Sequence, residues 1–492
     1  MLYLEMLSHF LVTSAILAVA EARAVSNSSS FTPIKWSNCT APLAKPGFDC
    51  GTLEVPIDWN HPHGEKVQLG MLRHKASKPA QRVGSLLFNP GGPGDTATTY
   101  VAFASELFGQ DVANRFDIIG LDPRGVGLSS PISCDPDIYN EQVSNWPSNQ
   151  TELDALVSKF HRLGESCFNM TGPLVKHMDS ISVAKDMEAI RQALGDEKLN
   201  YIGLSYGTLI GQTYAELFPR NIRTMVFDGN MDHSTDPISY LTVKSFTYES
   251  ELVRFAEWCS QSSTCPLNGT STDVLKVFDE LVKQANNKPI PAPSCKANGC
   301  RESVTGADIQ NNVNSQLFVK NSTLLGTWAT LGQNLLEAKK GNATGLSTSI
   351  ATSSKSAVFQ SAVISCSDWY HPSASLVDLK YKRDLARTMW PHVGTGAYGL
   401  NRCIGWPFPQ VNKQRKAKIH DTPRILLVNS QFDPSCSYIW ANGLQEQIGN
   451  STLLTRRGDG HTSYVLQGET WKAVNDYIVN LTIPADNLVV NS

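Results

Sequence analysis

The segment Gly203-Leu204-Ser205-Tyr206-Gly207 follows a short apolar run at residues 199–202 and precedes a helical pattern at residues 208–218. A strand, a Gly-x-Ser-x-Gly segment and a helix in this order are typical of a nucleophile elbow, a strained turn that exposes the serine hydroxyl. The flanking glycines are needed because a β-carbon would crowd the neighbouring strand and helix. The pentapeptide alone is a weak signal in a chain with 35 glycines. The strand and helix patterns around it strengthen the prediction.

The composition is that of an ordinary globular protein. The 492 residues are 41% hydrophobic and 18% charged, and the formal net charge is −3. Such a charge gives no electrostatic reason to expect nucleic acid or an anionic membrane surface as a partner. The length allows one large domain with an insertion, or two to three domains. It leaves the oligomeric state open.

The first 24 residues differ from the rest of the chain. Residues 6–20 are largely apolar, and Ala-x-Ala sites follow at residues 20–22 and 22–24. This pattern predicts a cleaved signal peptide over residues 1–24 and a secreted protein. Glu5 and the lack of Lys or Arg before the apolar run are atypical, so an uncleaved anchor or an incorrectly assigned start residue stays open. No later segment approaches the roughly 20 apolar residues that a membrane-spanning helix needs.

Eleven cysteines and nine N-x-Ser/Thr sequons favour an oxidising, secretory compartment. Spacing suggests five disulfides and leaves Cys436 unpaired, although connectivity does not follow from sequence alone. No cysteine pair has the C-x-x-C spacing of a zinc site, and we expect no metal and no other cofactor. The suggested pairs are Cys39–Cys50, Cys134–Cys167, Cys259–Cys265, Cys295–Cys300 and Cys366–Cys403. The sequon asparagines are Asn27, Asn38, Asn149, Asn169, Asn268, Asn321, Asn342, Asn450 and Asn480.

Short apolar strand patterns alternate with helical patterns in two parts of the chain. The alternation predicts an α/β fold, with a mostly parallel central sheet and helices on both faces. Between residues 232 and 420, helical segments and polar loops replace it. We therefore divide the mature chain into a first core part (25–231), a mainly helical cap insertion (232–420) and a C-terminal core part (421–492). The strand patterns lie at residues 52–55, 66–72, 84–89, 116–121, 199–202, 224–227 and 424–429.

A serine nucleophile needs a base, and the base needs an acid that orients it. With an elbow, the chain order is serine, acid, histidine. Five histidines follow Ser205, and only His461 lies in a small-residue loop just after a late strand pattern. Asp433 follows the strand pattern at 424–429 and precedes His461 by 28 residues, enough chain for one helix and one strand. Asp228, at the end of the strand after the elbow, is the alternative acid.

The site also needs donors for the negative charge that develops on the attacked carbonyl oxygen. One is the backbone N–H of Tyr206, directly after the nucleophile. The other is expected from the glycine-rich loop 89–94 after an early strand, and Gly92 is the chosen residue. In isolation this loop would be interpreted as a tight turn that binds nothing, and only the elbow elsewhere in the chain favours it as the source of the second donor.

Several segments together resemble the tripeptidyl aminopeptidase and proline iminopeptidase family of α/β-hydrolases. The resemblance covers most of the mature chain, from about Cys50 to His461. It is carried by Cys50-Gly51-Thr52-Leu53-Glu54-Val55-Pro56-Ile57-Asp58, Asn89-Pro90-Gly91-Gly92-Pro93-Gly94, Asp122-Pro123-Arg124-Gly125-Val126-Gly127-Leu128-Ser129, Gly203-Leu204-Ser205-Tyr206-Gly207-Thr208, Cys366-Ser367-Asp368, Cys403-Ile404-Gly405-Trp406-Pro407 and Gly460-His461.

This resemblance implies an α/β-hydrolase fold with Ser205 as nucleophile, Asp433 as acid and His461 as base. It further implies Gly92 and Tyr206 as oxyanion donors, and release of residues or short peptides from free N-termini. The chain departs from the family at the acid. Asp433-Pro434-Ser435-Cys436-Ser437 stands where the family often has Asp-Pro-Val-Thr-Pro, which places Cys436 near the site.

The expected function is that of a secreted serine aminopeptidase, with a peptide as substrate. A carboxylesterase or secondary-metabolite hydrolase would use the same triad on a small ester, because the fold does not fix the substrate. A third possibility is a non-catalytic binding protein on this scaffold. An aminopeptidase must also bind an α-ammonium, and Glu249, Glu251 and Glu257 of one predicted cap helix are candidates. Such charges equally serve solubility on a helix surface.

Overall fold

The computed structural model describes residues 33–321, 327–370 and 375–491. The predicted signal peptide (1–24) and the sequon at Asn27 lie outside these residues. The strands of the described residues are β1 (Lys35–Ser37), β2 (Phe48–Pro56), β3 (Lys66–His74), β4 (Gly84–Asn89), β5 (Phe116–Asp122), β6 (Leu199–Leu204), β7 (Ile222–Asp228), β8 (Ile290–Pro291), β9 (Ser303–Val304), β10 (Ile425–Phe432), β11 (Ser451–Asp459) and β12 (Val489–Asn491).

Ten of these strands form one sheet in the order β1-β2-β3-β5-β4-β6-β7-β10-β11-β12. The pairs β1-β2, β2-β3 and β3-β5 are antiparallel, and the remaining pairs are parallel. Every residue of β4 and β6 is buried, because parallel strands are covered on both faces. The predicted α/β-hydrolase fold with a mostly parallel sheet is confirmed.

Helices cover both faces of the sheet. The helices α2 and α15 pack on the face that carries Phe88, Ile202 and Val226. On the opposite face, Gly211 of α6 lies against Tyr201 and Phe227. The α-helices are α1 (Ala97–Val101), α2 (Ala104–Arg115), α3 (Pro136–Asn140), α4 (Gln150–Thr171), α5 (Ser180–Ala193), α6 (Tyr206–Leu217), α7 (Pro237–Gln261), α8 (Ser271–Asn287), α9 (Cys295–Asn298), α10 (Gly306–Gln316), α11 (Trp328–Lys339), α12 (Val358–Asp368), α13 (Leu376–Met389), α14 (Tyr438–Gln445) and α15 (Gly468–Asn480).

The segment between β7 and β10 in the chain is mainly helical. Its described residues contribute no strand to the ten-stranded sheet, and part of it encloses a core of its own around Tyr248, Phe255 and Trp328. It also contains the two-residue strands β8 and β9, which pair antiparallel with each other and which the sequence patterns do not predict. The boundaries 25–231, 232–420 and 421–492 stay a prediction.

One long helix, α4, escaped the sequence analysis. Its N-terminal signal is present, since the side chain of Asn149 accepts a hydrogen bond from the backbone N–H of Glu152. The helix packs against the chain after the cap helices: a β-carbon on Gly164 would lie within contact distance of Pro407. A helix of the predicted first core part (25–231) therefore contacts residues of the predicted cap insertion (232–420).

All five suggested disulfides form, and Cys436 is buried and unpaired. In the part of the chain that the structure covers, no helix has the length and hydrophobicity that crossing a bilayer requires. No cluster of three or more His, Cys, Asp or Glu side chains there is arranged to hold a metal ion.

Candidate active site

The carboxyl ends of the parallel strands bring the predicted triad to one edge of the sheet. Ser205 directly follows β6, Asp433 directly follows β10, and His461 comes two residues after β11. The register pairs Leu204 at the end of β6 with Asp228, and Asp228 with Val428 of β10. Loops at this edge are where open α/β sheets bind ligands.

Ser205 has the strained backbone of a nucleophile elbow, with φ 53° and ψ −121°. Its N–H donates to the carbonyl of Asp228 at 2.8 Å, and its own carbonyl accepts from the Thr208 hydroxyl at 2.7 Å. The flanking glycines are required sterically. A β-carbon would lie 2.5 Å from the Gly207 carbonyl if placed on Gly203, and 2.6 Å from the Asn89 carbonyl if placed on Gly207.

The glycine-rich loop lies directly against the elbow. A β-carbon on Gly91 would lie 2.6 Å from the backbone nitrogen of Tyr206. The N–H of Gly91 already donates to the side chain of Asn89 at 2.9 Å. Within the described residues, the N–H groups of Gly92 and Tyr206 have no protein acceptor, and Gly92 lines the central cavity. Two backbone donors are therefore unoccupied beside Ser205, as an oxyanion site requires.

The side chain of Tyr206 points away from the cavity into a buried polar cluster. Its hydroxyl donates to Asp368 at 2.8 Å and accepts from the indole N–H of Trp369 at 3.2 Å. Asp368 also accepts from the backbone and hydroxyl of Ser180, and burial raises its pKa to about 7. The Cys366-Ser367-Asp368 motif thus anchors the residue after the nucleophile, a role that its sequence did not disclose.

Asp433 and His461 form a direct pair. Nδ1 of His461 lies 2.9 Å from both carboxylate oxygens of Asp433. The carboxylate also accepts from the backbone N–H groups of Ser435, Cys436 and Thr462. With Nδ1 donating, the tautomer leaves Nε2 as a proton acceptor. The structure therefore pairs the histidine with Asp433 and not with the alternative, Asp228.

Asp228 instead holds the chain after the histidine. Its Oδ2 accepts from the backbone N–H groups of Ser463 at 2.7 Å and Tyr464 at 2.6 Å. Oδ1 is buried and has no partner among the described residues. Burial raises the pKa of Asp228 to about 6. It serves as an anchor for the segment that carries His461.

Ser205 and His461 line one cavity of about 740 Å³, together with Gly92, Phe318 and Val319. The side-chain contact of Ser205 Oγ is with Cys436 Sγ at 3.9 Å, and no hydrogen bond joins Oγ to His461 within the described residues. In unliganded sites such bonds are often long and shorten when substrate binds. Burial raises the pKa of the Cys436 thiol, which keeps it protonated and unreactive.

Helix α7, in the predicted cap insertion, contacts the loops that carry Asp433 and His461. Lys244 donates to the carbonyl of Ser435 at 2.8 Å, and burial lowers the pKa of this lysine. Glu251 accepts from the N–H of Gly460 at 2.9 Å. Burial and the nearby Asp459 carboxylate raise the pKa of Glu251 well above its usual range.

A second set of contacts fixes the residues around His461. Asp459 pairs with Arg254 of α7 and with Lys320, the latter at 2.6 Å. The N–H of His461 donates to the carbonyl of Phe318 at 2.7 Å, and the two rings lie 4.9 Å apart. The roles of Arg254, Lys320 and Phe318 could not be predicted from the sequence, because each of the three lies far from His461 in the chain.

Comparison with known proteins adds independent information. The alpha/beta hydrolase fold family matches residues 84–338, and a family described as TAP-like protein matches residues 392–490. Serine protease Hip1 of Mycobacterium tuberculosis is 28% identical over 474 residues, covering 92% of this chain and 90% of that protein. Tripeptidyl aminopeptidase of Streptomyces lividans is 28% identical over 477 residues, covering 94% and 85%. Carboxylesterase B of M. tuberculosis is 27% identical over 480 residues, covering 92% and 89%.

Proposed function

Since the chain belongs to the α/β-hydrolase family and is a serine hydrolase, we propose that it is an aminopeptidase that releases single residues or short peptides from free N-termini. The observation that carries the catalytic part of the proposal is the hydrogen-bonded pair of His461 and Asp433 at a cavity that Ser205 shares. The relatives named serine protease and tripeptidyl aminopeptidase support the peptidase part.

In the proposed reaction, Oγ of Ser205 attacks the carbonyl carbon of the scissile amide while its proton passes to Nε2 of His461. Asp433 accepts from Nδ1–H and stabilises the imidazolium that forms. The N–H groups of Gly92 and Tyr206 donate to the oxyanion of the tetrahedral intermediate.

Collapse of this intermediate breaks the C–N bond. His461 returns the proton to the leaving amine, and the acyl group remains on Ser205 as an ester. A water molecule then loses a proton to His461 and attacks the ester. The second collapse releases the carboxylic acid product and restores the Ser205 hydroxyl.

The first experiment is fluorophosphonate labelling together with hydrolysis of aminoacyl- and tripeptidyl-anilides. Ser205→Ala is expected to abolish labelling and to lower kcat for anilides at least about 1,000-fold, as loss of a triad nucleophile does. Ser315→Ala is the matched control, because Ser315 lines the same cavity and its hydroxyl donates to the Asn312 carbonyl. Absence of labelling in the folded wild-type protein would contradict catalysis and favour a binding protein.

The second candidate function is a carboxylesterase, which the similarity to Carboxylesterase B favours. The same triad cleaves esters, whose leaving groups are easier to expel than amines. Short acyl nitrophenyl esters assayed beside the anilides separate the two functions. Ester turnover without cleavage of any anilide would replace the aminopeptidase assignment with this one.

Secretion is part of the proposal. Five disulfides fit an oxidising compartment. Seven of the eight sequon asparagines within the described residues are exposed, and Asn342 is half-buried. Expression in a secreting eukaryotic host is expected to give a mature N-terminus near residue 25 and a mass that falls on N-glycosidase treatment. An intracellular, unglycosylated product with residues 1–24 intact would contradict this part.

A further inference from the structure

We propose that the carboxylate of Asp95 binds the α-ammonium group of the substrate and so selects free N-termini. This inference rests on the proposed function, and it identifies the residue that would make the site an aminopeptidase site. Asp95 lies in the loop between β4 and α1, three residues after Gly92. Asp95 is therefore part of the predicted first core part (25–231) and not of the predicted cap insertion.

Asp95 is the only Asp or Glu among the described residues that line the cavity of Ser205 and His461. Apart from His461, the other described lining residues are uncharged. The N–H of Asp95 donates to the Gly91 carbonyl at 3.2 Å, which fixes its backbone. Its carboxylate has no hydrogen-bond or ion-pair partner within the described residues, so it is available to a ligand.

The carboxylate lies next to the proposed oxyanion donor. A β-carbon built on Gly92 would lie 3.0 Å from Cγ of Asp95. A cation that pairs with this carboxylate must therefore lie close to the carbonyl under attack. The α-ammonium of the residue that contains that carbonyl meets this condition, and a charged group several residues away does not.

Among the described residues that line the cavity, only His461 can offer Asp95 an opposite charge. Asp95 is exposed to water, and partial desolvation by the surrounding protein atoms raises its pKa. A titratable group desolvated in a cleft is a marker of a functional site. A substrate ammonium would supply the missing opposite charge.

The position also explains why an uncharged N-terminus would be disfavoured. A free carboxylate beside Gly92 opposes the negative charge that develops on the carbonyl oxygen during attack. An ammonium cancels that repulsion, whereas an N-acetyl group leaves it in place. Asp95 would therefore discriminate between the two substrates in the transition state as well as in the bound complex.

The cap carboxylates considered from the sequence do not occupy this cavity. Glu251 points to the N–H of Gly460, and Glu249 accepts from the N–H of Val393. Glu257 is exposed, and none of the three lines the cavity. Within the described residues, Asp95 is left as the acidic group that can meet an N-terminus at Ser205.

The test compares free and N-acetylated forms of the same substrates in wild type and Asp95→Asn. The substrates are alanine nitrophenyl ester, alanine nitroanilide and trialanine nitroanilide, each with its N-acetyl form. We expect the ratio of kcat/KM for free over acetylated alanine ester to fall at least tenfold in Asp95→Asn. Among the anilides that wild type cleaves, the fall in kcat/KM caused by Asp95→Asn should be greatest for the single-residue substrate. Asp95→Glu should recover part of the ratio.

The control is Asp111→Asn, which removes one negative charge from an exposed position on α2 and should leave the ratio unchanged. The ester pair keeps the inference testable if no anilide is cleaved, because that outcome would overturn only the peptidase assignment. An unchanged free-to-acetyl ratio for the ester in folded Asp95→Asn would overturn the role of Asp95. So would an equal fall in Asp111→Asn.

Discussion

The elbow (residues 203–207) and the histidine loop (residues 458–463) hold the two groups that we propose to react, Ser205 and His461, by different physical means. The elbow is fixed by backbone hydrogen bonds and by glycines that admit no β-carbon. The histidine loop has backbone hydrogen bonds as well, but it also depends on acidic side chains. Glu251 accepts from the N–H of Gly460, and Asp228 accepts from those of Ser463 and Tyr464. Steric constraints are insensitive to pH, whereas carboxyl groups titrate. We therefore expect activity to be lost when side-chain volume is added at the elbow. We expect the histidine loop to be sensitive to the charge of the carboxyl groups that contact it.

The largest expected effect comes from adding one methyl group on the elbow side. In Gly91→Ala the new β-carbon would lie 2.5 Å from the Leu204 carbonyl and 2.6 Å from the Tyr206 nitrogen. It would displace or cover the N–H that faces the oxyanion. We expect kcat to fall by about 100- to 1,000-fold, the cost of losing one such donor. Steady-state kinetics on the best substrate, with circular dichroism to verify folding, measures this.

Gly172→Ala is the control for that substitution. Gly172 also has a positive φ, at 86°, but a β-carbon there meets nothing within 4 Å. It should lose a little stability from backbone strain and keep its activity. Equal kinetic losses in both variants would show that strain, and not contact with the elbow, is the cause.

The elbow could be predicted because its determinants are local. Gly203, Ser205 and Gly207 lie within five residues, and the strand and helix around them have clear patterns. The Asp433–His461 pair was predictable in the same way, because chain order and strand positions bring both to one edge of the sheet. The oxyanion loop needed the elbow beside it before its glycines could be interpreted.

The long-range supports of the histidine loop and of the elbow could not be predicted. Glu251 reaches Gly460 across 209 residues, and Asp368 reaches Tyr206 across 162. These contacts depend on how the cap packs, which no periodicity in the sequence records. The sequence treated Glu251 as one of three equivalent helix carboxylates, and only the fold shows that it is buried against the loop. Helix α4 differs from these contacts, because its N-terminal signal at Asn149 is local and can be recognised in the sequence.

The second prediction concerns Asp228, beneath the histidine loop. Burial raises its pKa from 3.8 to about 6, so the native protein holds this proton to higher pH than the unfolded chain does. The stability that this group contributes is complete below pH 3.8 and is lost as the pH rises through 6. The free energy of unfolding of wild type, relative to Asp228→Asn, should fall by roughly 2–3 kcal/mol between pH 4 and pH 7.

Urea denaturation at several pH values measures this difference. Asn retains an oxygen for the N–H groups of Ser463 and Tyr464, so the variant should fold. Asp137→Asn, which removes a carboxylate from an exposed position, is the control variant. If the difference in free energy of unfolding between wild type and Asp228→Asn stays constant with pH, the buried carboxyl has the same pKa in the folded and the unfolded chain.

The smallest expected effect concerns Glu251 and distinguishes the role of its charge from the role of its hydrogen bond to Gly460. The side chain is buried and accepts from the N–H of Gly460, next to His461. Glutamine has nearly the same shape and keeps an oxygen that can accept this hydrogen bond, and the raised pKa of Glu251 favours the uncharged form that glutamine resembles. Glu251→Gln should therefore keep kcat within about twofold. Glu251→Ala leaves the Gly460 donor without this partner and should lower kcat about tenfold, the effect of roughly 1.4 kcal/mol.

Because ionisation of Glu251 would place a second negative charge beside Asp459, Glu251→Gln should also retain activity at alkaline pH better than wild type. A pH profile of kcat for the three proteins decides between these roles. If Gln and Ala lose activity equally, the carboxylate itself is required, and the histidine loop depends on a charged Glu251 and not on a neutral acceptor.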